Sequence, residues 1–144
     1  MRLTPPTQLV EPADGLFDDA DDDGSGRTAS WVLASGAAAV IMAQRITRSR
    51  LALWGLHDCV SAAELLVTEL VTNAVRHSRD RIRLMLTAED GLLRCEVEQA
   101  DPVRLRLRVG REHLLLAGLA CCWGTARTAE GKIVWFELPT PVTA

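Results

Sequence analysis

Glu69, Asn73 and His77 stand four residues apart in the run Glu69-Leu70-Val71-Thr72-Asn73-Ala74-Val75-Arg76-His77-Ser78. That spacing puts all three on one face of a helix. Leu66, Val67, Leu70, Val71, Ala74 and Val75 supply the apolar wall that would pack on a core. A carboxylate and a carboxamide one turn apart can hold a hydrated divalent cation, which takes oxygen ligands and keeps several waters. The carboxylate can also orient a water or a hydroxyl. Taken without its context, such a column reads as a helix face that bridges neighbouring strands. His77 suits the negative end of the helix dipole.

The elements that carry this column follow from periodicity. Ser61-Ala62-Ala63-Glu64 has the capping-box pattern and is expected to start the helix, which runs to about His77. An earlier helix is expected over 35–54, with Ala38, Ile41, Met42, Ile46 and Leu53 at apolar spacing and Arg45, Arg48 and Arg50 outward. Ile82, Leu84 and Leu86 alternate with Arg81, Arg83 and Met85, which predicts a strand. Asp90-Gly91 signals a tight hairpin, and the next strand places Leu93, Cys95 and Val97 on one face. Residues 104–109 alternate Arg104, Arg106 and Arg108 with Leu105, Leu107 and Val109. This reads as the solvent face of an edge strand, or as a basic strip for an acidic partner. A short apolar helix is expected over about 112–122, buried or at a partner interface, and two last strands meet at Glu130-Gly131. The order predicts an α+β domain, a two-layer α/β sandwich with a mainly antiparallel sheet covered by helices.

The Glu69–His77 string closely resembles the Asn-containing box of the GHKL superfamily, the histidine-kinase-like ATPases of the Bergerat fold. Within it the chain looks most like the anti-sigma-factor serine kinases. Leu51-Ala52-Leu53-Trp54-Gly55-Leu56 resembles the end of that family's first helix. Gly110-Arg111 followed by Leu114-Leu115-Leu116 resembles its glycine-rich second box. Trp123-Gly124 and the run from Gly131 to Leu138 resemble its last two strands. The resemblance spans roughly 35–138 and implies a Bergerat-type sandwich, Mg-ATP between sheet and helices, and a sigma factor or sigma-antagonist protein as partner.

Carried over residue by residue, Glu69 matches the catalytic carboxylate and Asn73 the magnesium ligand. The family's adenine-reading Asp falls on Gln99, at the end of Leu93-Arg94-Cys95-Glu96-Val97-Glu98. Asp101, two residues on and of the same strand parity, is the alternative acceptor. The late-strand Thr falls on Ile133, which has no hydrogen-bonding group. The lid keeps Gly110 and Arg111, but its next glycine is Glu112. Losing a charged hydrogen bond to adenine removes about 1.5–3 kcal/mol, and about 1.4 kcal/mol is tenfold in affinity. The resemblance therefore implies a cytoplasmic anti-sigma-type regulator working through protein binding, with a weakened or lost ATP site. The alternative is an active Mg-ATP-dependent serine kinase, with Glu69 as base, Asn73 on magnesium, and Gly110 and Arg111 on phosphate. A homodimer built through the apolar helix is a third expectation.

Composition bounds the rest. The chain has 144 residues, a net charge of −3 and 48% hydrophobic residues, values of a single soluble domain. Pro5, Pro6 and Pro12 stand where an export signal needs an apolar run, and no membrane span is expected. Residues 1–27 read as a disordered acidic segment and 28–144 as the domain. Asp19, Asp21, Asp23 and Gly24 match half a calcium loop, but Ser30 stands where its bidentate Glu belongs. Nucleic-acid binding is not expected from a net negative chain without a reading motif. Cys59, Cys95, Cys121 and Cys122 are expected to be reduced and buried. His57-Asp58-Cys59 are adjacent and do not face one another, so they read as a loop. Trp31, Trp54, Trp123 and Trp135 are expected in or near the core.

Overall fold

Alternating apolar residues build the sheet, and helical repeats cover one face of it. The structure, a computed structural model, describes residues 7–10, 27–78, 80–100, 118–129 and 131–140. The elements are β1 (Thr7–Val10), β2 (Arg27–Leu33), α1 (Ala37–Leu53), a 3-10 turn (His57–Cys59), α2 (Val60–His77), β3 (Ile82–Glu89), β4 (Leu92–Ala100), β5 (Cys122–Arg127) and β6 (Gly131–Pro139). Among the described residues the sheet order is β1-β2-β3-β4-β6-β5. Neighbours from β2 to β5 pair antiparallel, and β1 joins β2 in parallel. Among the described residues the fold is therefore α+β, with α1 and α2 on one face of a mainly antiparallel sheet. No described helix is long and apolar enough to cross a membrane.

The hairpin between β3 and β4 forms where Asp90-Gly91 allow it. Both have positive φ, 54° and 77°, the pair of left-handed residues that a two-residue type I′ turn needs. Its register sets Leu84 opposite Val97 and Leu86 opposite Cys95. Val97 in turn faces Val134, and Cys95 faces Phe136. These side chains and Trp31 form the sheet's half of the core. The helices supply Met42, Ala43, Ile46, Leu66, Val67, Leu70 and Val71.

Several details differ from the sequence reading. Helix α2 starts at Val60, not Ser61, and has no side-chain cap. The 3-10 turn feeds Cys59 into the helix with near-helical dihedrals, so no extended capping residue exists for Ser61 to be. Glu64 is used elsewhere: it bridges Arg48 across the helix pair at 2.6 Å. Helix α1 is turned relative to the expected face. Ile41 is 53% and Leu53 66% exposed, whereas Thr47 and Arg50 are buried. Arg50 lies inward because its guanidinium carbon sits 5.4 Å from the Trp31 ring and 5.9 Å from the Trp54 ring. Arg27–Leu33 forms a strand that periodicity did not reveal, with Trp31 fully buried. The expected helix over 112–122 ends earlier, since Leu119 is the last helical residue and Cys122 already belongs to β5. The alternating 104–109 run lies outside the described residues. Cys59 and Cys95 are buried, but Cys121 and Cys122 are exposed, because they open an edge strand.

Candidate functional site

Helix α2 is fixed at both ends. The Cys59 thiol donates to the Pro139 carbonyl at 3.6 Å, and the Ser78 hydroxyl donates to the Ala100 carbonyl at 2.8 Å. Pro139 pairs with Leu92 at the start of β4, and Ala100 is its end. The helix therefore runs along β4 in the same direction. Asn73 lies ~20 Å along α2 from Val60 at 1.5 Å per residue. Gln99 lies ~24 Å along β4 from Leu92 at about 3.4 Å per residue. The two reach the same end of the sandwich.

Asn73 is buried there, at 7% exposure. Glu69, one turn earlier, is half-buried, and His77, at the helix end, is exposed. Neither the Glu69 carboxylate nor the Asn73 carboxamide hydrogen-bonds another described residue.

The strand residues of the corner follow from parity. Leu93, Cys95 and Val97 face the helices, so Gln99 does too, at 4% exposure. On β6, Val134, Phe136 and Leu138 face the core. Lys132 shares their parity, is 6% exposed and pairs in register with Gln99. Ile133 has the other parity and pairs with Glu98 on the far side of the sheet. The sequence correspondence put Ile133 beside the base, yet strand alternation gives that face to Lys132. The signal was available: Lys132 lies two residues before Val134. Gly131 closes the corner. A Cβ on it would fall 1.8 Å from the Gln99 carbonyl oxygen, so β6 approaches β4 as only glycine permits.

Ser78 also belongs to this corner. It is buried, accepts a bond from the Asp80 N–H at 3.2 Å, and its carbonyl takes the Ser35 hydroxyl at 2.7 Å. It joins the exits of β2, α2 and β4. Asp101, Gly110, Arg111 and Glu112 lie outside the described residues.

The corner's described donors suit hydrogen bonding more than metal binding. Asn73 and Glu69 supply one carboxamide and one carboxylate. Among the described residues no group of three or more His, Cys, Asp or Glu converges on a cation position. Gln99 and Lys132 close the strand side of the corner, both under a tenth exposed.

A cleft of about 280 Å³ opens at the same end and is lined by Val32, Arg83 and Glu98 with Asp80, Arg81, Gln99 and Ala100. Val32, Arg83 and Glu98 have the parity of the sheet's other face. Arg83 bridges Glu98 across it at 2.9 Å. Further along that face Arg94 bonds Glu96 at 2.9 Å and Glu137 at 3.1 Å and lies 4.2 Å from the Trp135 ring.

A scan against protein-family models and a search of curated proteins each find no match to the chain.

Proposed function

We propose that this protein is an anti-sigma-type regulator of the histidine-kinase-like ATPase family, with a Bergerat-type sandwich, that acts by binding a sigma factor or a sigma-antagonist protein. Its inherited nucleotide corner no longer serves ATP. One observation carries the reading: Gln99 and Lys132 form a buried cross-strand pair at the end of the sandwich that Asn73 reaches. Gln99 replaces a charged acceptor with a neutral one. Lys132 brings a long aliphatic stem and an ammonium to the face where the family presents a small hydroxyl. On this reading Glu69 and Asn73 persist as parts of the helix that frames the corner, in a cytoplasmic protein.

A second reading is a working Mg-ATP-dependent serine kinase. The intact four-residue spacing of Glu69 and Asn73 favours it, since a carboxylate base and a carboxamide metal ligand are both kept. Isothermal titration with Mg-ATP and Mg-ADP separates the two. The regulator reading expects no heat of binding at millimolar nucleotide. Micromolar binding, abolished in Asn73→Ala together with phosphotransfer to a partner protein, would overturn it in favour of the kinase.

A further inference from the structure

Cys121 and Cys122 stand at the mouth of β5, the edge strand of the sheet. Both are exposed and neither is in a disulfide. The Cys121 thiol donates to the Cys122 sulfur, with the two sulfurs 3.9 Å apart. The pair is held by the sheet ladder. The Cys121 N–H donates to the Glu137 carbonyl at 3.0 Å, and Cys122 pairs with Glu137 in register.

That separation has a chemical meaning. A tetrahedral metal centre with metal–sulfur bonds of about 2.3 Å holds neighbouring sulfurs ~3.8 Å apart. The two thiols therefore already stand at the spacing of a chelate edge. We propose that Cys121 and Cys122 form a bidentate site for a soft, thiophilic divalent cation of the zinc and cadmium class. Such ions select thiolate over carboxylate and carbonyl ligands. The nearby Glu137 carboxylate is engaged by Arg94. Among the described residues no third His, Cys, Asp or Glu completes the set. Binding converts two thiols to two thiolates: the cation forms two metal–sulfur bonds and two protons leave.

Cys59 and Cys95 are buried and take no part.

Titration of the full chain with Cd²⁺ under a phosphine reductant tests the site by the near-ultraviolet thiolate-to-cadmium absorption. One cadmium per chain is expected. Cys121→Ser and Cys122→Ser should each weaken binding at least tenfold, and the double variant should show no band. Both side chains are exposed, so native circular dichroism is expected of all three. A parent chain without the band, a double variant that keeps it, or a single variant that binds as tightly as the parent would each overturn the proposal.

Discussion

The Ser78 hydroxyl holds the Ala100 carbonyl at 2.8 Å, and so ties the end of the Asn73 helix to the end of the strand that carries Gln99. Both partners sit where regular hydrogen bonding stops. Ser78 has extended dihedrals just past α2, so its side chain is free to turn toward the sheet. The same oxygen accepts from the Asp80 N–H, and one hydroxyl thereby shapes the turn into β3.

Ser78→Ala should lower stability by about 1–3 kcal/mol, the cost of leaving a half-buried acceptor and a backbone donor without their partner. Urea unfolding would show a lower midpoint with unchanged slope. An unchanged midpoint would mean that α2 is held by its apolar face alone.

Gly131→Ala is expected to be among the most damaging small changes in the chain. The new Cβ would meet the Gln99 carbonyl at 1.8 Å and the Ala100 Cα at 2.9 Å, both backbone atoms. Strands β4 and β6 would have to part at that end, at a cost of about 3 kcal/mol or more. Thermal unfolding checks this. A melting temperature equal to the parent's would contradict the close approach.

Arg50→Lys keeps the charge and loses the planar stack between Trp31 and Trp54. A loss of about 1–2 kcal/mol is expected in unfolding followed by tryptophan fluorescence. Arg50→Ala should cost more, since the aliphatic stem is also buried. If lysine proved equivalent to arginine, charge alone would be what the site needs.

Stability should fall in alkali because of Cys95. Burial pushes its thiol up, the Glu96 charge adds to this and Arg94 opposes it. The native chain then keeps a proton that the unfolded chain has lost, so stability declines as pH rises. The contribution is complete below the ordinary thiol value of 9.0 and is lost as pH climbs from there toward the folded value. The slope from this one group approaches about 1.4 kcal/mol per pH unit. Cys59, raised by burial and then by Asp58, acts in the same direction. Chemical denaturation at a series of pH values above 9.0 should show the decline, and Cys95→Ala should flatten it.

The regular parts were legible in the chain because their signals are local. The two-residue period of Ile82, Leu84 and Leu86, the Asp90-Gly91 turn and the alternation of Leu93, Cys95 and Val97 define β3 and β4 without reference to anything distant. The Leu66–Val75 repeat likewise defines α2 and puts Glu69 and Asn73 on one column.

Periodicity says which residues share a face, but not what covers it. Arg50 reads as outward because it is charged, yet its guanidinium lies inward against the Trp31 and Trp54 rings, which only the folded chain brings to it. Lys132 came to the helix side through its pairing with Gln99, and Ile133 was turned away by the same one-residue step. Cys121 and Cys122 have the size and polarity of small core residues, but the strand order puts them on an open edge. The sequence by itself determined the helix that carries the polar column and the strands beneath it. The tertiary structure alone decided which polar side chains lie inside, because the cost of burying them depends on partners that only long-range packing supplies.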